Sequence, residues 1–173
     1  CSLPAMMVSF EPMPREFLQA DDPPARLTNF RERWRLLSVI GLEQLCVLRF
    51  DARLQHYSGP QFMQLLAQLG ARRAVVGHDF RFGHQGEANA EWCFSQGLKY
   101  GFEVEVMPPV LLDGERVSSR LIREALARGD LTRAARLLGR PYSMRGRVRR
   151  GAQLGRELGF PTANVATHRR RVP

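Results

Sequence analysis

RAVVGHDFRFGH, Arg73 to His84, carries the reading of this chain. The apolar run Arg73–Val76 is too short for a helix and ends at Gly77, so it predicts a buried strand feeding a polar loop. That loop holds Asp79, Arg81 and Gly83. In open α/β sheets, ligands sit in the crevice beyond the carboxyl ends of strands, and this loop occupies such an end. Gly77 lets a base or ribose approach the backbone closely. Asp79 can accept hydrogen bonds from ligand hydroxyls or an amine, while Phe80 and Phe82 either anchor the loop or face the ligand. The plain alternative is a strand-to-loop turn with two core phenylalanines and an exposed ion pair.

Outward from this stretch, short apolar runs alternate with helical patterns, which predicts a parallel sheet with covering helices. Ala5–Phe10 reads as a buried strand. Thr28 is the expected cap of a helix carrying Phe30, Trp34, Leu37 and Ile40 on one face, stopped by Gly41. A strand at Gln44–Phe50 and a helix over Pro60–Leu69 follow. Beyond the loop, a helix is expected over Glu87–Tyr100 and a strand over Phe102–Met107, ended by Pro108-Pro109. Two helices, Ser119–Arg128 and Leu131–Leu138, are each closed by a glycine, Gly129 and Gly139. From Tyr142 the chain turns glycine-rich and loses helical periodicity, which places a domain boundary near Gly139–Pro141.

Composition narrows the class. The 173 residues are 44% hydrophobic and 25% charged, ordinary for a soluble globular protein. No apolar run approaches the ~20 residues of a membrane span, and the amino terminus has no signal-peptide pattern. Cys1, Cys46 and Cys93 are odd in number and widely spaced, which suits a reducing cytosol and suggests neither a disulfide framework nor a zinc site. His78 and His84 lack a third ligand at metal spacing. The net charge of +9 is uneven. Residues 1–115 hold 11 basic and 14 acidic groups, whereas residues 116–173 hold 15 basic and 3 acidic. Lys99 is the single lysine among arginines, so a coding bias explains the charge as readily as a nucleotide, a polynucleotide or a solvated surface does.

Two further segments carry chemistry. In RVSSRLIREAL, Arg116 to Leu126, Ser118 or Ser119 can cap the next helix and leave its first N–H groups open to an anion. Arg123, one turn further on, can clamp a phosphate at the same place. The alternative is an ordinary N-cap with solvated arginines. In GRELGFPTANV, Gly155 to Val165, two glycines bracket a turn whose N–H groups can cradle phosphates. Thr162 and Asn164 alternate and offer oxygen ligands to a hard cation such as Mg²⁺. A glycine-punctuated hairpin is the alternative there.

These segments occur in this order in the bifunctional riboflavin kinase/FAD synthetase family, which the chain resembles along almost its whole length. FEPMPREF at Phe10–Phe17 is similar to the family's Phe-Glu-Pro-His-Pro stretch. GHDFRFG and VSSRLIREAL resemble its adenylyl-transfer segments, and LLGRPYSMRGRV with GRELGFPTANV resembles the entry to its kinase barrel. The resemblance implies an α/β, Rossmann-like nucleotidyltransferase domain at 1–140 and the start of a riboflavin-kinase β-barrel at 141–173. It implies that ATP phosphorylates riboflavin to FMN and then adenylylates FMN to FAD, with Mg²⁺. Gly77, Asp79, Phe80, Ser118, Ser119 and Arg123 would line the transferase's ATP and flavin site, with Arg123 catalytic. Gly155, Gly159, Thr162 and Asn164 would hold ATP for the kinase, with Thr162 and Asn164 on the metal. The implied partners are these small molecules, with no nucleic acid and no membrane, in the cytoplasm.

Some positions depart from the family pattern. Met13 stands at a usual histidine, Arg120 at the usual threonine of Ser-Ser-Thr, and Gly86-Glu87-Ala88-Asn89 at an Arg-x-Gly-Asp. The family's first strand and His-x-Gly-His segment would precede Cys1, and the kinase's general-base glutamate would follow Pro173. Tyr142–Pro173 is accordingly expected to be poorly ordered, since its partner strands would lie further on. Competing readings are a degenerate relative that binds nucleotide without turnover, an adenylyltransferase for another substrate, and a basic nucleic-acid-binding module.

Overall fold

The structure is a computed structural model that describes residues 3–151, 159–160, 162–167 and 173. In chain order its elements begin with β1 (Met6–Glu11), α1 (Pro14–Leu18), α2 (Phe30–Val39), β2 (Gln44–Arg49), α3 (Ala52–Gln55) and α4 (Gly59–Gln68). Next come β3 (Arg73–Gly77), β4 (Arg81–Phe82), β5 (Ala88–Asn89), α5 (Ala90–Gln96) and β6 (Glu103–Met107). The remainder are β7 (Leu111–Leu112), β8 (Glu115–Arg116), α6 (Ser119–Ala127), α7 (Leu131–Leu138), β9 (Arg147–Arg149) and β10 (Asn164–Ala166). The chain is mixed α/β and forms two compact units, one of Phe10–Phe17 and Val47–Val117, the other of Cys1–Ser9, Leu18–Cys46 and Ser118–Pro173.

The first of these units has a continuous apolar core. β3 and β6 pair in parallel, Arg73 opposite Glu103 through Gly77 opposite Met107. Phe62 and Met63 of α4, Cys93 of α5, and Phe102 and Val104 at β6 pack together with Phe82 and Ala88. Met63 and Cys93 are fully buried, their sulfurs 3.5 Å apart. Burial raises the Cys93 thiol above its ordinary range. Gly97 has to be glycine, because a Cβ there would stand 2.8 Å from the Phe102 carbonyl oxygen. The helix expected over Glu87–Tyr100 instead starts at Ala90, capped by the Asn89 side chain, because Ala88 and Asn89 pair with Phe82 and Arg81. Beyond Gln96 it continues as a 3-10 turn, Gly97–Tyr100.

Leu111–Leu112 and Glu115–Arg116 form a hairpin that the sequence reading omitted. Its turn, Asp113-Gly114, has φ of 53° and 78°, the left-handed pair that a two-residue hairpin requires.

In the other unit, α6 buries Leu121, Ile122 and Ala125, and α7 buries Ala134 and Leu137. Gly139 closes α7 in the left-handed conformation, as expected. The cap of α2 is Asn29, not Thr28, because Glu32 three residues on completes a capping box. Of the residues in α2, Glu32 is buried, whereas Phe30 and Trp34 on the anticipated apolar face are exposed. The Glu32 carboxylate accepts the Asn29 N–H at 2.7 Å and the Arg145 N–H at 2.6 Å, which offsets its desolvation.

β1 pairs with β2. Gln44 donates to the Ala5 carbonyl and Phe50 to the Glu11 carbonyl, an advance in the same sense that makes the pair parallel. β1 is not the buried strand expected, since Met6 and Met7 are exposed and Ser9 is its buried residue. The parallel sheet is thus present among the described residues as two separate two-stranded pairs.

Within the stretch expected to be poorly ordered, β9 and β10 form an antiparallel ladder, Arg149 opposite Asn164 and Arg147 opposite Ala166. Among the described residues this is a two-stranded ladder and not a closed barrel.

Candidate functional site

The loop after β3 is held from below by aromatic packing. The His78 N–H donates to the Met107 carbonyl at 3.0 Å, prolonging the β3–β6 ladder by one rung. The Phe80 N–H then turns back to the Gly77 carbonyl at 2.9 Å. Phe82 is buried against Phe62 and Trp92, with ring centroids 5.4 and 5.8 Å away. Phe80 stacks on Phe82 at 5.1 Å and is half-buried, so its ring anchors the loop. Gly83 has φ of 81°, and a Cβ there would stand 2.8 Å from the Gly59 nitrogen at the start of α4. The Glu87 carboxylate accepts that same N–H at 2.7 Å. Glycine at 83 therefore allows the loop to close on α4.

Above this base, Gly77, His78 and Asp79 are exposed. Asp79 pairs with the Arg116 guanidinium of β8. The hydrogen bond from Arg116 holds the Asp79 carboxyl below its usual range, with partial desolvation opposing. Arg116 is the partner that the sequence reading missed. Asp113-Gly114 was the available signal, since a hairpin there turns Arg116 back along the chain.

The second set of expected residues lies at the start of α6. Ser118 is the cap, its Oγ accepting the Leu121 N–H at 3.3 Å, and Ser119 is the exposed first residue of the helix. Arg120 pairs with Glu124 at 2.6 Å, one turn on. Arg123 is half-buried and donates through Nε to the Ala25 carbonyl at 2.6 Å. That contact spans 98 residues and could not be read from the motif. Ser118 and Ser119 thus share the start of α6, Arg123 lies one turn further along with its Nε on the Ala25 carbonyl, and Gly77, Asp79 and Phe80 share one turn.

Of the third set, Gly155 lies outside the described residues. Gly159 is exposed with φ of 80°, and Thr162 and Asn164 are exposed. The Asn164 amide lies so close over Gly151 that a Cβ there would collide with it. Among the described residues, no group of three or more His, Cys, Asp or Glu is arranged to hold a metal. Nor is any helix among them long and apolar enough to cross a membrane.

The FAD synthetase family model matches residues 1–121, and the riboflavin kinase model matches residues 138–173. The bifunctional riboflavin kinase/FMN adenylyltransferase of Escherichia coli K12 is 39% identical over 99% of this chain and 56% of its own length. The Pseudomonas fluorescens protein of the same description is 42% identical over 99% of the chain and 55% of its own length. A crystal structure described as a macrolide-efflux protein from Streptococcus pneumoniae superposes with a TM-score of 0.79 at 32% identity. It is covered over 56% of its length, and this chain over 99%. The chain spans about half the length of the curated relatives it matches. On the match over 1–121, the chain belongs to the FAD synthetase family, and a stretch similar to riboflavin kinase follows.

Proposed function

We propose that this chain serves ATP-dependent flavin cofactor synthesis, the phosphorylation of riboflavin to FMN and the adenylylation of FMN to FAD. The observation that carries this reading is the pair of family matches, in an order that fits the three sequence segments. Residues 1–140 would form a Rossmann-like adenylyltransferase domain and residues 141–173 the opening of a kinase barrel. In the first reaction the riboflavin 5′-hydroxyl attacks the γ-phosphorus of ATP and ADP leaves. In the second, the FMN phosphate attacks the α-phosphorus and pyrophosphate leaves. Both are transfers in which positioning and charge stabilisation do most of the work.

The transferase roles fall on Gly77, Asp79 and Phe80 of the loop and on Ser118, Ser119 and Arg123 of α6. The open N–H groups of α6 and the Arg123 guanidinium suit phosphate oxygens. Asp79, ionised and exposed, suits ligand hydroxyls or an amine. For the kinase, Gly155 and Gly159 would shape the phosphate turn. Thr162 and Asn164 offer two neutral oxygens, which suit an Mg²⁺ that arrives with the charge of ATP phosphates. The metal would neutralise developing phosphate charge. The reading places the protein in the cytoplasm with small-molecule partners.

The test is chromatographic separation of FMN and FAD formed from riboflavin and ATP. Arg123→Ala should lower FAD formation from FMN by about tenfold or more, the scale of a lost charge-assisted hydrogen bond. Riboflavin phosphorylation should stay the same. Equal losses in both would return Arg123 to a structural role on the Ala25 carbonyl.

A further inference from the structure

A cleft of 530 Å³ opens between α3 and α4, formed by none of the motif residues. Its size lies within the range of about 300–1,000 Å³ usual for small-molecule sites. Arg53 of α3, with His56 and Tyr57 just after it, forms one wall. Gln61, Gln64 and Gln68 recur at spacings of three and four along α4 and form the other, with Leu65 as an apolar patch. Among the described residues, no carboxylate lines it.

The polar groups Arg53, His56, Gln61, Gln64 and Gln68 are exposed, and two of them, His56 and Gln61, are oriented by hydrogen bonds. Ala52 offers His56 only a carbonyl oxygen, 2.6 Å from Nδ1, so Nδ1–H donates and the neutral ring keeps Nε2 as an acceptor. The ring also stacks on His84, centroids 5.0 Å apart and 18° from parallel. Gln61 accepts the Ser58 N–H through Oε1 at 2.8 Å, which fixes its amide and leaves the NH₂ group as donor. Among the described residues, the Arg53 guanidinium has no ion pair or hydrogen bond, and neither Gln64 nor Gln68 has a side-chain partner. A guanidinium without an ion pair, beside three glutamines that can each donate and with no carboxylate in the lining, is complementary to an oxyanion. The bare Nε2 of His56 adds an acceptor for a hydroxyl.

We propose that this cleft binds a small hydroxylated anion, a sugar phosphate or a hydroxycarboxylic acid. Arg53 and the α4 glutamines hold the anionic group, and His56 accepts from a ligand hydroxyl. The site is separate from the flavin reading and stands or falls without it.

Titration of the whole chain with ribose 5-phosphate and with citrate, followed by calorimetry and amide chemical shifts, tests the proposal. At least one probe should bind saturably and shift the amides of Arg53, His56, Gln64 and Gln68. Saturation by ribose 5-phosphate alone would assign a phosphate ligand, and by citrate alone a carboxylate. Arg53→Gln should weaken binding about tenfold, and Gln64→Leu should weaken it too, whereas Lys99→Gln should leave it unchanged. If Arg53→Gln fails to fold, Gln64→Leu decides. The proposal is overturned if neither probe saturates, if the shifts centre on Gly77–Phe82, or if Lys99→Gln weakens binding as much as Arg53→Gln.

Discussion

The loop after β3 and the ladder of β9 with β10 are both short, yet they are secured in different ways. The loop rests on Phe82, which is buried against Phe62 and Trp92, so its backbone is fixed by side chains remote in sequence. The ladder pairs its own backbone groups but exposes most of its side chains, with Val148 and Val165 at 66% and 48%. Hydrogen bonds alone contribute a modest net stability, because water competes for the same groups in the unfolded chain. Apolar burial decides which of two short segments is rigid enough to present a site.

The largest test of this contrast is Phe102→Ala. Phe102 is 2% exposed at the centre of the core. Its loss should cost about 3–5 kcal/mol in urea unfolding, the range for a large aromatic truncated in a packed interior. Amide exchange at His78 and Phe80 should accelerate with it, since the loop stands on that core. A loop that keeps its protection in a destabilised Phe102→Ala protein would break the comparison.

Ser118→Ala comes next. Its Oγ caps α6 through the Leu121 N–H, and removing a serine cap costs about 0.5–2 kcal/mol. The loss should appear as faster exchange in the first turn of α6. Ser119→Ala at the exposed neighbouring position should change stability much less, which separates the cap from a general serine effect.

These sites also show what could be read before the structure was known. β3 and β6 were legible as strands because a short apolar run and an alternating one are bounded by glycine and proline, although β3 is not the buried strand expected, Val75 being 59% exposed. α7 was legible because Asp130 and Gly139 bracket an amphipathic turn pattern. The local signal for the cap of α2 is Glu32, three residues after Asn29, and it points to Asn29 where Thr28 was expected. The start of α5 at Ala90 was not legible, because it depends on the pairing of Ala88–Asn89 with Arg81–Phe82. The same limit holds at the site. Gly77, Asp79, Ser118 and Arg123 stand out by type and spacing, but their partners do not. Arg116 and Ala25 reach Asp79 and Arg123 through tertiary folding, across 37 and 98 residues.

Val148→Ala should be nearly silent, within about 0.5 kcal/mol, as for surface substitutions away from special features. The residue is mostly exposed on β9, so little apolar area is lost. A loss comparable to that of Phe102→Ala would mean that the ladder is covered in solution, and the contrast between the two segments would fail.

The smallest effect concerns Asp79 and Arg116. Arg116 holds the Asp79 carboxyl below its ordinary range, so the folded chain favours the ionised form more than the unfolded chain does. The pair's contribution is therefore complete above the unfolded-state pKa and is lost as pH falls through the lower folded-state value. Its size is small, because the side chains are 56% and 47% exposed and water and salt screen them. Carboxyl titration by NMR is more sensitive here than unfolding. In Arg116→Gln the Asp79 carboxyl should titrate at higher pH than in the parent chain, and added salt should narrow the difference. Unchanged titration would mean that Arg116 does not hold Asp79 in solution, leaving the loop's position to its aromatic base and backbone hydrogen bonds. A shift that appears while the exchange of His78 and Phe80 stays constant would separate the two functions of the loop. Its backbone would then be set by the aromatic base, and the charge it presents by Arg116.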